Sequence, residues 1–238
     1  MLIYGAMSRL SMVQEIASLL VLGLAPALFW LWYFYIKDRY DPEPRSWILW
    51  IFLLGMASTI PAALVEGLIG LVVPSEFLIA VIVAPIVEEL GKFLVVYHFV
   101  FRHPVFDEPI DGIVYAVTAA LGFAALENVL YIVAAYSETL SLPLELSIVR
   151  GILSVPGHAL MSAMWGFALG QSLTRPATFG HLPVVHGLLL AIALHAAFNL
   201  LVSLEIVGAA LLVIVLVPGM WLVTGRKIAS SLDAGGKR

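Results

Sequence analysis

Residues 77–101 read FLIAVIVAPIVEELGKFLVVYHFVF, a stretch that is apolar or weakly polar apart from Glu88, Glu89, Lys92 and His98. About 20 consecutive apolar residues are enough to cross a bilayer as a helix. A charged side chain at the bilayer centre costs about 2.5–3.5 kcal/mol on insertion scales, and such residues are functional by default. We therefore interpret this segment as a transmembrane helix that carries the chemistry of the protein.

The composition of the whole chain predicts an integral membrane protein. Its 238 residues are 62% hydrophobic and 12% charged, whereas soluble domains carry about 25% charged residues. The net charge of −4 and the dispersed basic residues predict no nucleic-acid partner. The absence of cysteine excludes disulfides and a thiol nucleophile. Hydrophobic segments use nearly all of the sequence, so we expect one membrane-embedded domain over residues 1–238, with its core motifs in residues 77–204.

The hydropathy pattern predicts about seven membrane spans. These segments must be helices, because lipid offers the backbone no hydrogen-bond partners. The sequence thus predicts an all-α fold, a polytopic membrane helix bundle. Asp111 follows Pro109 and is expected to cap the start of the fourth span. The predicted spans are residues 16–36, 47–73, 77–101, 111–136, 148–171, 183–204 and 206–224.

Basic residues concentrate on one side of the predicted bilayer. Cytoplasmic loops carry an excess of Lys and Arg, so we predict an outside N-terminus and a cytoplasmic C-terminus. The side opposite to the basic loops holds Arg9 and Arg150. The loops after the first, third and fifth spans and the C-terminal tail hold Lys37, Arg39, Arg45, Arg102, Arg175, Arg226, Lys227, Lys237 and Arg238.

Four polar side chains on four consecutive spans share one depth. They are Glu88, Glu127, His158 and His195. Each lies about 9–11 residues from the outer end of its span, which is roughly 14–17 Å below the outer surface. All four side chains can bind a metal, and their common depth predicts a single site near the middle of the membrane.

The charges of this predicted site favour metal-assisted hydrolysis. Three carboxylates, those of Glu88, Glu89 and Glu127, face one Lys92, and a buried excess of negative charge must be protonated or met by a cation. Two His and one Glu form a known catalytic zinc set that leaves a position for water. Such water has a pKa near 7, and a nearby Glu can take its proton. The residues alone leave open which Glu is base and which is ligand.

Taken together, the motifs resemble the PrsW family of intramembrane metalloproteases, distant relatives of the CAAX prenyl proteases and of bacteriocin-immunity membrane proteases. The resemblance extends from Tyr40 to Asn199. Its motifs are the Tyr40-Asp41-Pro42-Glu43-Pro44 loop, Glu88-Glu89-x-x-Lys92, Asp111-Gly112-x-x-Tyr115-Ala116, Gly122-Phe123-x-x-x-Glu127-Asn128, His158 and His195-x-x-x-Asn199.

The resemblance implies a role for each motif residue. Glu88 would activate the attacking water, and Glu89 would pair with Lys92. Asn199 would donate a hydrogen bond to the developing oxyanion. The metal ligands would be Glu127, His158 and His195, holding Zn²⁺ or another divalent cation. The implied substrates are membrane-anchored proteins or peptides, such as anti-sigma factors, and the implied location is the plasma membrane of a prokaryote.

Two other functions compete with proteolysis. Intramembrane Glu, His and Lys also build relays in ion- or proton-coupled transporters and channels, and a non-catalytic membrane scaffold is the other alternative. The sequence shows no duplicated hydropathy pattern of the kind that transporters carry. It also lacks the HExxH, GxGD and GxSxG motifs of other membrane proteases. Glu66 and Arg150 stay open, as residues that line the site or that extend to the outer interface.

Overall fold

The computed structural model describes residues 2–38, 40–136, 142–174 and 182–235, and every regular element in them is helical. The elements are α1 (Leu2–Tyr35), α2 (Arg45–Gly70), α3 (Glu76–Leu78), a π-helical segment (Ile79–Val83), α4 (Ala84–Phe99), α5 (Asp111–Tyr136), α6 (Leu142–Ile152), α7 (Ser154–Gln171), α8 (Leu182–Ser203), α9 (Glu205–Leu211), a second π-helical segment (Leu212–Leu216) and α10 (Val217–Gly235).

The predicted all-α membrane bundle is confirmed. Within the described residues, six helical runs are long and apolar enough to cross a membrane. A further helical run, residues 76–99, corresponds to the predicted third span; in it α3, the first π-helical segment and α4 are continuous over about 36 Å. The six runs are Met12–Tyr35, Arg45–Gly70, Asp111–Tyr136, Leu142–Gln171, Leu182–Ser203 and Glu205–Gly235.

The fifth crossing begins earlier than predicted and is broken near its middle. Its helical run starts at Leu142 rather than at Ile148, since Pro143 and Glu145 fit the first turn of the amphipathic α6. The chain leaves the helix at Leu153 and resumes it at Ser154. Pro156 has no N–H with which to bond the carbonyl four residues earlier, which explains the break.

A tight turn separates the sixth and seventh crossings, at the residue where the sequence placed their boundary. Glu205 begins α9 with φ of 51°, a left-handed conformation that is rare outside glycine. The next turn of α9 passes close to the end of α8. A Cβ at Gly208 would collide with the carbonyl oxygen of Leu201, so this reversal requires glycine.

Helix α5 lies at the centre of the bundle and packs against α7, α2 and α1. Small residues permit these approaches, as is usual between helices in lipid. A Cβ at Gly122 would meet the backbone of Phe52 on α2, and one at Gly112 would meet the backbone of Gly166 on α7. The window of α5 that could cross the membrane is therefore 83% buried within the protein.

Several of the basic residues from which the orientation was predicted lie outside the described residues. They are Arg39, Arg175, Lys237 and Arg238, and the side chain of Arg9 joins them. The direction in which the bundle crosses the membrane therefore stays a prediction from the sequence.

Candidate active site

A cavity of about 1040 Å³ collects the polar side chains of the bundle. It lies among α2, α4, α5, α6, α7 and α8. The residues predicted to share one depth all line it, namely Glu88, Glu127, His158 and His195. Glu66, which the sequence left open, lines the cavity, as does Arg150. The charged and polar lining residues that matter here are Glu66, Glu88, Glu127, Arg150, His158, His195 and Asn199.

Glu89 and Lys92 form a fully buried ion pair, with Lys92 Nζ 2.9 Å from Glu89 Oε1. Lys92 Nζ also lies 3.3 Å from Glu88 Oε2, one helical turn away. On the other side of Glu89, Oε2 accepts hydrogen bonds from Ser162 Oγ at 2.7 Å and Trp165 Nε1 at 3.1 Å. Both oxygens of Glu89 are thus engaged, which suits a positioning carboxylate.

The two histidines each have one nitrogen on a carboxylate and the other facing Glu88. His158 Nε2 lies 3.0 Å from Glu127 Oε2, and its Nδ1 lies 3.8 Å from Glu88 Oε2. His195 Nδ1 lies 3.3 Å from Glu89 Oε1, and its Nε2 lies 3.9 Å from Glu88 Oε2. A carboxylate on the outer nitrogen of a metal-binding His sets the tautomer and the ring orientation.

A potential metal-binding group follows from this arrangement. One ligand atom each from Glu88, His158 and His195 lies within 4.8 Å of the others, and all three residues are buried. Donor atoms around a tetrahedral zinc are about 3.4 Å apart, so a small contraction would close the set. The Lys92 ammonium already contacts His158 Nδ1 at 2.9 Å and would have to give up that contact to a metal.

Glu127, the carboxylate that the sequence grouped with the histidines, lies behind His158. Arg150 Nη2 is 2.8 Å from Glu127 Oε2, and Arg150 Nε donates to Asn128 Oδ1 at 2.9 Å. The guanidinium of Arg150 lies 4.0 Å from the ring centroid of Tyr131. Arg150 therefore turns into the bundle rather than toward the interface. With Lys92 and Arg150 both counted, the three carboxylates retain one uncompensated formal charge instead of two.

Asn199 lines the cavity, and its Nδ2 donates to the carbonyl oxygen of Ala80 at 2.8 Å. Ala80 lies in the first π-helical segment, where Ala84 N–H bonds Ile79 one residue farther back than in an α-helix. In that register the partner of the Ala80 carbonyl would be Pro85, which has no N–H. Asn199 thus supplies the missing donor and ties α8 to the start of α4.

Three residues contribute to the site without a role assigned to them from the sequence. Ser162 and Trp165 follow His158 by four and seven residues, so they repeat its helical face on α7. Asn128 bridges Arg150 and the Gly23 carbonyl, which its Nδ2 reaches at 3.0 Å. A helical-wheel comparison would have found the first two, whereas the contact with α1 depends on tertiary packing.

Comparison with known proteins assigns the family. Residues 43–223 match the family described as PrsW family intramembrane metalloprotease. The chain is 41% identical over 157 residues to Protease PrsW of Geobacillus kaustophilus, which covers 65% of this chain and 67% of that protein. It is 36% identical over 152 residues to Protease PrsW of Bacillus subtilis, covering 63% and 66%.

A third relative extends the match along most of the chain. Protease PrsW of Clostridioides difficile is 28% identical over 226 residues, which is 91% of this chain and 92% of that protein. No solved structure matches the chain. The transporter and scaffold alternatives are not favoured by these matches. With its carboxylates and imidazoles gathered inside a membrane helix bundle, the chain belongs to the PrsW family of intramembrane metalloproteases.

Proposed function

We propose that Glu88, His158 and His195 are the residues that contact the metal, the attacking water and the scissile peptide bond in this intramembrane protease. The observation that carries the proposal is the grouping of their ligand atoms within 4.8 Å of one another beside a large cavity. Two imidazoles and one carboxylate are the donors of a catalytic zinc site with a position left for water. A divalent cation bound there would supply a Lewis acid for hydrolysis.

Glu88 combines the features of a ligand and of a base. Its described contacts with Lys92 and with both histidines are all made by Oε2. Its Oε1 is thus the oxygen that can accept the proton of the attacking water. This assignment keeps the role that the family resemblance implies for Glu88. In this assignment Glu127 is no longer a metal ligand. Its carboxylate instead accepts the Nε2–H of His158.

The remaining charged residues of the site hold this arrangement in place. Glu89 accepts from His195 Nδ1 and leaves the Nε2 lone pair directed toward Glu88. Lys92 balances Glu88 and Glu89, and Arg150 balances Glu127. Preorganised groups of this kind need not reorient during the reaction.

We also propose where the enzyme acts and on what. The cavity of about 1040 Å³ would receive an unwound segment of a membrane-anchored protein. Such regulators, anti-sigma factors among them, are the substrates that the family resemblance implies. Positive-inside counting supports an N-terminus outside, and the plasma membrane of a prokaryote is the location that the family resemblance implies. The site would then open toward the outer leaflet.

Metal content tests the ligand set directly. We expect about one zinc, or another divalent metal, per chain after purification in detergent without chelator, and we expect both His158→Ala and His195→Ala to lose it. His186→Ala is the matched control, because His186 lies on α8 but is exposed. Elemental analysis of the four proteins measures this. Metal retained in both histidine variants would overturn the ligand set.

Cleavage of a single-span fluorogenic peptide in proteoliposomes tests the catalytic role of Glu88. Glu88→Gln removes the proton acceptor, and we expect a loss of about 10²–10⁴-fold in cleavage rate. Glu76→Gln is the control, because Glu76 lines the same cavity at the start of α3 and lies outside the group of carboxylates and histidines. Cleavage by Glu88→Gln at the wild-type rate would contradict the assignment.

A further inference from the structure

A second group of carboxylates lies at the other end of the bundle. Asp38 follows α1, Glu43 precedes α2, and Asp111 is the first residue of α5. One oxygen from each lies within 4.8 Å of the others. Their side chains are nearly inaccessible, since Asp38, Glu43 and Asp111 are 2%, 3% and 1% exposed. Asp111 and Glu127 lie on the same helix about 24 Å apart, so the group is separate from the active site.

The hydrogen bonds of this group leave several buried oxygens without a partner. Glu43 Oε2 accepts from the hydroxyl of Tyr115, and Asp111 Oδ2 accepts from the backbone N–H groups of Asp107 and Glu108. Neither oxygen of Asp38 makes a hydrogen bond of regular geometry, although the backbone N–H of Glu43 lies near enough to affect its pKa, and Asp111 Oδ1 has no partner. A buried charge without a partner is strongly unfavourable, so these oxygens point to a missing positive group.

No basic side chain supplies that positive group in the described part of the chain, where the ion pairs of Lys and Arg involve other carboxylates. Burial, with the charges of Asp111 and Glu108, raises the pKa of Asp38 to about 7, although the backbone N–H of Glu43 opposes the rise. Burial and the charge of Asp111 also raise the pKa of Glu43. Within the described residues, three buried carboxylates therefore lie together without an ion pair to Lys or Arg.

We propose that Asp38, Glu43 and Asp111 bind a divalent cation of the hard class, Ca²⁺ in preference to Mg²⁺. All three donors are carboxylates, which these ions prefer to imidazole. Two oxygens on opposite sides of a Ca²⁺ ion are about 4.6–5.2 Å apart, compared with about 4.0–4.2 Å for Mg²⁺. The three carboxylates, each with an oxygen within 4.8 Å of the others, are therefore close enough together to bind one Ca²⁺ ion.

Such an ion would join three transmembrane helices at one end of the bundle. Asp38 and Glu43 flank the turn between α1 and α2, and Asp111 starts the central helix. Tyr35 Oη also donates to the backbone carbonyl of Glu43 at 3.1 Å, which holds the turn close to α1. The site would act on stability, and it does not depend on the proposed catalytic roles.

Calcium binding and thermal unfolding test the proposal in the full-length protein in detergent. After chelation and dialysis, we expect added CaCl₂ to bind with a stoichiometry of about one ion per chain and to raise Tm. MgCl₂ should raise Tm less. Asp38→Asn should weaken Ca²⁺ binding more than about tenfold, because affinity follows the number of ligand charges. This substitution breaks no described hydrogen bond, since Asp38 makes none of regular geometry.

Two control variants separate this site from its surroundings. Asp41→Asn removes an exposed carboxylate from the same turn and should leave Ca²⁺ binding unchanged. Glu88→Gln should also leave Ca²⁺ binding unchanged, which distinguishes this site from the catalytic cluster formed by Glu88, His158, His195 and their partners. If Asp38→Asn does not fold, Glu43→Gln provides the same test. Wild-type Tm that is insensitive to Ca²⁺ and Mg²⁺ but rises as the pH is lowered would overturn the proposal and assign protons to the group instead.

Discussion

The two buried carboxylate groups of this protein differ in how their charge is balanced. In the catalytic cluster, Lys92 lies against Glu88 and Glu89, and Arg150 lies against Glu127. In the group formed by Asp38, Glu43 and Asp111, no Lys or Arg pairs with the carboxylates in the part of the chain that the structure describes. The first cluster also contains imidazoles and borders a cavity, whereas the second contains oxygen donors alone.

This difference separates a site built for chemistry from a site built for binding. Internal cations keep the catalytic carboxylates in place whether or not a metal is bound, so the cluster is organised before the reaction begins. Among the described residues, the second group has no such internal cation, and in our proposal an ion takes that place. Removal of an internal cation should therefore destabilise the first cluster, whereas removal of a carboxylate should stabilise the second group when no ion is bound.

The largest expected effect comes from Lys92→Met. It leaves Glu88 and Glu89 without their common partner in the bundle interior, which typically costs about 3–5 kcal/mol in the free energy of unfolding. Asp38→Asn should instead stabilise the chelator-treated protein, because it removes an unpaired buried charge. Thermal or denaturant unfolding in detergent measures both.

Lys37→Met is the control for this comparison. Lys37 is half-buried and lies over the ring of Tyr33 at 4.4 Å, near the end of α1, and a contact of this kind contributes about 0.5–2 kcal/mol. Wild-type stability of Lys92→Met, measured without added metal, would show that the catalytic cluster does not need its internal cation.

A smaller effect is expected for Arg150→Lys. Lysine retains the positive charge but has no planar guanidinium with which to bond Glu127 and Asn128 at the same time. It also loses the stacking of that group on the ring of Tyr131. The loss of one charged hydrogen bond predicts destabilisation by about 1.5–3 kcal/mol. The proteoliposome assay should show slower cleavage, because Glu127 would hold His158 less firmly.

Arg102→Lys is the matched control, since Arg102 contacts Tyr97 at an exposed position. It should change the free energy of unfolding by less than about 0.5 kcal/mol. Equal stability and equal activity of Arg150→Lys and Arg102→Lys would mean that charge alone, without the fork, supports the cluster.

The smallest expected effect concerns Asn199→Ala. Its hydrogen bond to the Ala80 carbonyl joins two neutral groups and should contribute about 0.5–1.5 kcal/mol to stability. If Asn199 acts through this contact, cleavage should fall less than about tenfold. A decrease of about 10²–10³-fold in kcat without loss of stability would instead identify Asn199 as the oxyanion donor. Ser203→Ala, on the same helix, is the control.

Most of the fold was predictable because the bilayer restricts the chain to helices of a given length. Apolar runs of about 20 residues locate the crossings. The equal depth of Glu88, Glu127, His158 and His195 within their spans predicted that they lie near one another, and all four line one cavity. The break before Ser154 was not anticipated, since it follows from the position of Pro156 within a helix rather than from hydropathy.

The pairing of charges was less predictable, because it depends on which faces of the helices meet. Arg150 lies so near the predicted interface that its side chain could extend either into the bundle or toward the membrane surface. Only the packing of α6 against α5 brings it to Glu127. The second carboxylate group escaped notice for a similar reason. Asp38 and Glu43 lie in a turn without periodicity, and Asp111 was interpreted as a helix cap, whereas its Oδ2 bonds the preceding turn.

The enclosure of α5 has a consequence for the biogenesis of the protein. Because 83% of its membrane-spanning window is buried among its neighbours, α5 has little contact with lipid once the bundle is complete. Helices α7 and α8 leave the ribosome after α5, so α5 first meets lipid with Gly112, Glu127 and Asp111 still uncovered. The later helices then pack over it. The cluster that contains His158 and His195 can form only after that step, whereas Asp38, Glu43 and Asp111 are all in place once α5 has been made.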